Sequence, residues 1–322
     1  MIRTAECVTP MHPDKMCDRI SDAILDAALK GDPHSRTAIE AMGGHSIVTV
    51  TGEMTTDTYV NVHDIVKRIV VDKVGIQTNI ARQSPEIARG VDSGGAGDQG
   101  IMVGYACAEN EAMIPQELYL SRSLCKHIYH EYPYDGKTQI TIDNNNQITA
   151  VVASFQKSDK DTLLCLTKEW AKNLKMKLPT ERLYFNPAGD WEVGGYDADT
   201  GVTGRKLIID NYGPRIPIGG GAYAGKDASK VDRSGAYIAR KIAVDLLWKR
   251  GAKEVTVYLA YAIGVAEPVM AVAKIDDKEE NLKDYDLKPK AIIELLKLDK
   301  PIFESTSEWG HYGNNFLWDK KF

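Results

Sequence analysis

The sequence predicts an α+β fold, and three observations lead there. Stretches of period-two alternation and stretches of amphipathic helical spacing both occur, and they follow one another without a regular strand–helix–strand rhythm. Neither an exact repeat nor a low-complexity linker interrupts them. The 322 residues suffice for two or three domains with sizeable cores, and 43% hydrophobic with 26% charged residues is the balance of an ordinary soluble globular protein.

The first helix is predicted at His12-Pro13-Asp14, because proline suits a first helical position whose N–H has no partner anyway. Ile20, Ala23, Ile24, Ala27 and Ala28 then share one face, and Gly31-Asp32-Pro33 ends the run. Alternation predicts strands over 47–51 and 59–62, and a second amphipathic helix follows over 63–74. Residues 139–153 read as a hairpin, since two alternating runs flank Asn144-Asn145-Asn146, whose asparagines tolerate the positive φ of a tight turn. Next come a helix over 159–174, a turn-rich region over 186–203, a strand over 207–210 and a glycine-rich loop over 219–225. A helix with Ala239, Ile242 and Leu246 on one face is closed by Gly251, and a long strand occupies 255–263. A polar loop, a short helix over 290–297 and an aromatic-rich tail complete the chain.

A net charge of −5 and a pI near 5.9 exclude the wide basic surface by which proteins neutralise nucleic-acid phosphates, so any phosphate site is local. Cys7, Cys17, Cys107, Cys125 and Cys165 are scattered and never in CxxC spacing, which points to structural thiols in a reducing compartment rather than zinc or disulfides. The N-terminus has no apolar signal segment, and the longest apolar run, 257–266, is too short to span a bilayer. A cytoplasmic protein is expected.

The most informative loop is Gly219-Gly220-Gly221-Ala222-Tyr223-Ala224-Gly225-Lys226-Asp227. From Gly220 it has G-x-x-x-x-G-K spacing, in which glycines let backbone N–H groups approach phosphate and the lysine neutralises it. Asp227 stands where a Walker loop places Ser or Thr, and no strand leads straight into the loop, so a P-loop NTPase is disfavoured. Lys230 and Asp232 follow closely. Acidic, glycine-rich clusters at 94–100 and 197–201 supply carboxylates for a hard cation, a ribose or an amino group. His12-Pro13-Asp14-Lys15 opens a helix, where free N–H groups favour anions. Each segment alone also reads as ordinary turn or cap chemistry; together they describe a magnesium–polyphosphate site.

Those segments resemble S-adenosylmethionine synthetase (methionine adenosyltransferase): HPDK at 12–15, GAGDQG at 95–100, TGRK at 203–206, GGGAYAGKDASKVDRS at 219–234 and YAIGVAEP at 261–268. The resemblance runs over nearly the whole chain. It implies three similar mixed domains related by a pseudo-threefold, placed at 1–104, 105–192 and 193–322 with some interleaving. It also implies two active sites between the subunits of a tight homodimer, which pairs into a tetramer in many members. The implied reaction forms S-adenosylmethionine from ATP and L-methionine and then cleaves the triphosphate to pyrophosphate and phosphate, with Mg2+ (two per site) and K+ as cofactors.

By the same resemblance Asp14 and Asp232 ligate magnesium and Glu40 potassium. Lys137, Arg205, Lys206, Lys226 and Lys230 hold the triphosphate, and His12 lies beside the ribose and the breaking bond. Glu53, Gln83, Asp199 and Lys230 meet methionine; Asp98, Asp135, Ala222 and a stacking Trp191 meet the adenosine side. The sequence departs from the family at Pro10-Met11, Lys157, Thr200 and Ile218, and by a gating segment cut to a few residues between Gly90 and Gly95. Its shortened loops favour a dimer over a tetramer. A catalytically inactive nucleotide-binding regulatory paralogue is the competing reading; it calls for the loss of a charged ligand, yet all of those above are present.

Overall fold

The computed structural model describes residues 1–70, 73–83 and 94–321. Its strands are β1 (Arg3–Val8), β2 (Arg36–Gly44), β3 (Ile47–Thr55), β4 (Gly75–Ala81), β5 (Gly100–Cys107), β6 (Gly136–Ile142), β7 (Ile148–Phe155), β8 (Leu183–Phe185), β9 (Gly201–Val202), β10 (Glu254–Tyr261), β11 (Met270–Ile275) and β12 (Lys278–Asn281). Its helices are α1 (Pro13–Gly31), α2 (Val62–Ile69), α3 (Gln116–Glu131), α4 (Lys160–Asn173), α5 (Leu207–Asp210), α6 (Val231–Arg250), α7 (Pro289–Leu296) and α8 (Thr306–Trp309).

Most elements follow from local signals. His12 caps α1, its ring nitrogen accepting from Asp14 N–H, and Pro13 fills the first turn. β6 and β7 form the expected antiparallel hairpin, with Asn146 at φ 58° in the turn. Asp159 caps α4 by accepting from Thr162 N–H, and Gly251 closes α6 at φ 60°.

Three sequence expectations are corrected. Residues 59–62 form no strand: Tyr59 is 87% exposed, and Asn61 caps α2 by accepting from Asp64 N–H, so the apparent alternation is the lead-in to a helix. That helix also ends at Ile69, short of the expected 74. Residues 207–210 form one helical turn and not a strand, because Ile209 and Asp210 N–H both return to the Lys206 carbonyl. An apolar run of this length has no readable period, and the turn is what carries the Asp210 carboxylate to buried Lys15. The shortened gate at Gly90 to Gly95 lies largely outside the described residues.

The strands make three four-stranded sheets, in the orders β1-β6-β7-β8, β12-β11-β10-β5 and β4-β3-β2-β9. On one face of each sheet a long helix packs against two strands, and a shorter helix packs on the long one: α3 with α4, α6 with α7, and α1 with α2. Each layer pair encloses its own hydrophobic cluster. This is the expected α+β architecture in three similar units. The units exchange strands cyclically: β1 joins the sheet of β6 to β8, β5 joins that of β10 to β12, and β9 joins that of β2 to β4.

Against α6, on the β12-β11-β10-β5 sheet, the aromatic tail folds back, and Trp318 stacks on Tyr237 of α6 at 3.8 Å. All five cysteines are free, four of them buried. Among the described residues, no helix is long and apolar enough to cross a membrane.

Candidate active site

Two constellations of charge emerge, one at each of two loops packed on α1. At the first, Asp14 lies in the opening turn of α1 and is 1% exposed. One carboxylate oxygen accepts from Val202 N–H at 2.9 Å and lies 3.4 Å from Arg205 Nε; the other pairs with the Lys206 ammonium. The Thr203–Lys206 turn is thereby folded onto the N-terminus of α1. Burial resists ionisation of Asp14, but Lys206 and the Val202 N–H prevail and hold its carboxyl below the usual range.

His12 is 3% exposed beside this cluster. Its burial, reinforced by the Lys206 and Lys137 ammonium groups, pushes the imidazole down to about 3. Because Nδ1 accepts from Asp14 N–H, the neutral ring carries its proton on Nε2, a donor held ready without charge. The His12 ring protons will accordingly show no NMR titration between about pH 5 and 8, whereas a midpoint near the ordinary 6.5 would refute the assignment. The linkage sign follows. Below about 6.5 the unfolded ring binds a proton that the folded ring refuses until about 3, so this group removes stability as pH falls through that window.

The second constellation is built by the glycine-rich loop. Gly225 sits at φ 79° and its carbonyl accepts from Ile39 N–H, which lays the loop along β2 and sets Lys226 opposite Ala38. Lys226 Nζ bonds Asp232 in the first turn of α6 at 2.6 Å. A Cβ at Gly221 would come within 2.4 Å of the Asp232 carboxylate, so glycine there lets the backbone approach that group closely. Burial raises the Asp232 carboxyl above its ordinary value, Lys226 opposes this, and the facing Asp98 carboxylate adds to it. Lys230 stands at the N-cap position of α6, where its side chain makes no cap bond, and pairs with Asp227. Asp227, the residue that breaks the Walker pattern, is buried and also accepts from Thr37 N–H at 2.8 Å and Ser229 N–H at 3.0 Å. It is a structural anchor for loop, strand and lysine at once.

The remaining predicted residues group around these centres. Lys137 stands across from Val8 on β6 and acts electrostatically on both His12 and Asp135. Asp135 is buried and accepts from Gly195 N–H at 3.1 Å; burial first, and then Asp199, raises its carboxyl. Gln156 bonds Asp135 N–H and the Glu192 carbonyl, bringing half-buried Trp191 into the same neighbourhood. Ala222 faces Gly204, where a Cβ would come within 2.8 Å, so the two loops touch. Glu53 pairs across from Ala38 and Ala81, and Gln83 N–H reaches Thr55 at 3.2 Å; both therefore share the sheet end that holds Lys226. Glu40 is exposed on β2, opposite Thr51.

Sequence reasoning assigned no role to Asp18, Asp22, Asp210 or Arg233, all buried. Lys15 bonds Asp210 at 2.5 Å, and Arg233 grips Asp22 with two bonds of 2.7 and 2.6 Å. The available signal was charge on helix positions flanked by core residues. Among the described residues no cluster of three or more His, Cys, Asp or Glu could by itself hold a metal ion.

The chain matches three family models: S-adenosylmethionine synthetase N-terminal domain over residues 1–91, central domain over 93–191 and C-terminal domain over 193–320. It is 39% identical to the S-adenosylmethionine synthase of Clostridium tetani over 365 residues, covering 96% of this chain and 93% of that one. It is 38% identical to the S-adenosylmethionine synthase of Petrotoga mobilis, covering 99% and 96%, and 36% identical to that of Nitratiruptor sp., covering 98% and 95%. Since 365 aligned positions exceed the 322 residues of this chain, the Clostridium relative carries insertions that this chain lacks.

Proposed function

The chain belongs to the S-adenosylmethionine synthetase family and is a methionine adenosyltransferase, and from that premise we propose how its residues divide the work. The substrates are ATP and L-methionine. In the transfer, a sulfur lone pair attacks C5′ in line as the C5′–O bond breaks, and the electron pair leaves with the triphosphate. No protein nucleophile is called for; the site must neutralise growing negative charge and hold sulfur, carbon and oxygen in line.

Supporting this reading is the convergence of Arg205 and Lys206 on Asp14 beside a neutral His12. Arg205, Lys206, Lys137, Lys226 and Lys230 bind the triphosphate, and the rigid carboxylate partners of Lys206, Lys226 and Lys230 keep these cations ordered before ATP arrives. His12 donates from Nε2 toward the oxygen leaving C5′. Asp98, Asp135, Trp191 and Ala222 hold adenosine, and Glu53, Gln83, Asp199 and Lys230 hold methionine. In the second reaction, water cleaves the bound triphosphate among the same cations.

A divalent cation fits the donor set. Asp14 and Asp232 each offer one buried carboxylate beside lysines, and Mg2+ characteristically takes one or two carboxylates and completes its shell with phosphate oxygens and water. Held there, two magnesium ions would neutralise charge on the triphosphate as it leaves C5′ and as it is hydrolysed. Glu40 contributes one exposed carboxylate for K+. The assembly is a homodimer with its active sites between subunits, located in the cytoplasm; sedimentation velocity distinguishes dimer from tetramer.

Purified protein supplied with ATP, methionine, Mg2+ and K+ is expected to yield S-adenosylmethionine, pyrophosphate and phosphate together, all dependent on methionine by mass spectrometry. ATP consumption that ignores methionine would overturn the assignment.

A further inference from the structure

Helix α1 carries a carboxylate at every fourth residue: Asp14, Asp18, Asp22 and Asp26. Four residues make slightly more than one turn, so these groups stand on one slowly winding stripe, each roughly 6 Å along from the last. Like charges at this spacing weaken a helix on its own, and the first three are buried, so the stripe is unfavourable unless each carboxylate is satisfied from outside.

Each carboxylate has backbone partners. Asp14 accepts from Val202 N–H at 2.9 Å, Asp18 from Gly204 N–H at 2.8 Å, Asp22 from Gly225 N–H at 2.8 Å, and Asp26 from Phe303 and Glu304 N–H, both at 2.9 Å. Three separate segments thus hang from one helix. The two middle rungs share a further pattern: each holds a glycine of positive φ, 82° at Gly204 and 79° at Gly225, and the next residue is a cation, Arg205 or Lys226. Arg233 offsets the charge of Asp22, and Lys15, which bonds Asp210 and lies 3.9 Å from Asp18, offsets that of Asp18 in part.

We propose that Asp18 and Asp22 are positioning residues for the triphosphate site. Neither meets substrate; each sets the height along α1 at which a cation-bearing loop stands. The inference rests on the assignment of Arg205, Lys206 and Lys226 to the triphosphate. Asp18 is the cleaner position to test, because Asp22 also holds Arg233.

The experiment compares Asp18→Ala, Asp18→Asn and Asp26→Ala in the full chain, reading the KM values for ATP and methionine, the melting temperature, and the Kd for inorganic tripolyphosphate with Mg2+ by calorimetry. Asp18→Ala is expected to raise the ATP KM and the tripolyphosphate Kd roughly 10- to 100-fold, as displaced catalytic groups do, and to change the methionine KM less than about twofold. Asp18→Asn keeps an acceptor oxygen and should restore most of the loss. Asp26→Ala, which releases only the C-terminal segment, should lower the melting temperature and leave both constants unchanged.

An unchanged tripolyphosphate Kd in Asp18→Ala, an Asn variant no better than Ala, or an equal effect from Asp26→Ala would overturn the proposal. Arg205→Ala and Lys226→Ala run alongside: if neither weakens tripolyphosphate, the site assignment itself fails, whereas weakening by both with none from Asp18→Ala refutes positioning alone. Should Asp18→Ala not fold, Asp18→Ser, whose hydroxyl falls short of Gly204 N–H, takes its place with the same expected outcomes.

Discussion

Lys226→Ala is expected to lower kcat/KM for S-adenosylmethionine formation by roughly two to three orders of magnitude, the scale on which removal of one preorganised charge-stabilising group usually acts. The lysine belongs to a loop fixed to β2 at Gly225, its ammonium sits on Asp232 at 2.6 Å, and Asp232 in turn faces Asp98. Deleting it removes a cation at the place where triphosphate charge grows and leaves two facing carboxylates less compensated, which repels the same polyanion. Stability should fall modestly, between the roughly 1 kcal/mol of a solvent-open pair and the roughly 3–5 kcal/mol of a buried one, because the Lys226 side chain is 24% exposed but that of Asp232 only 4%. Asp232→Asn tests the partner and should also abolish synthesis with the fold intact. Initial rates together with thermal melts decide the matter; near-normal turnover in either variant would remove both residues from the site.

The largest effect on stability is expected at Arg233. Its guanidinium is fully buried, makes two bonds to Asp22, donates to the Lys226 carbonyl at 3.0 Å and to Thr306 at 3.2 Å, and lies over the Phe303 ring at 4.3 Å. One side chain thus ties α1, the glycine-rich loop, the start of α6 and α8 together. Arg233→Met preserves much of the volume but strands the Asp22 carboxylate in the interior, and breaking a buried pair in this way costs about 3–5 kcal/mol. Adding Asp22→Asn to that variant removes the uncompensated charge and should recover part of the loss, which denaturant midpoints will reveal. If Arg233→Met unfolds at the same midpoint as the parent, the buried pair is not what secures this junction.

Much of the chemistry was legible in the sequence because it is carried by residue type at short spacing. A proline after a histidine started α1, a glycine stopped α6, and the lysines proposed to bind phosphate lay in strings that name their own neighbourhood. Short apolar stretches were less legible. Residues 207–210 present Leu-Ile-Ile-Asp, which fits either period, and Asp210 chooses the helical turn only because Lys15 waits inside the fold for its carboxylate. The reverse happened at 59–62, where an alternating run yielded to the cap at Asn61.

The sequence by itself determined the α+β class, the extent of α1 and α4, the β6–β7 hairpin, the end of α6, the family and the inventory of cations and carboxylates, since these depend on local propensity and on residue identity, whereas β1, β2, β4, β5 and α3 went unread. Tertiary structure decided which unit each strand completes, as in the passage of β1, β5 and β9 to neighbouring sheets, because strand pairing joins residues far apart in the chain. It also decided what each charge does. Asp227 reads as a failed Walker position yet is a buried anchor, and Asp18 and Asp22, to which the sequence reading gave no role, hold two loops. Burial and the partners found across the fold, neither of which is written in local spacing, set those roles.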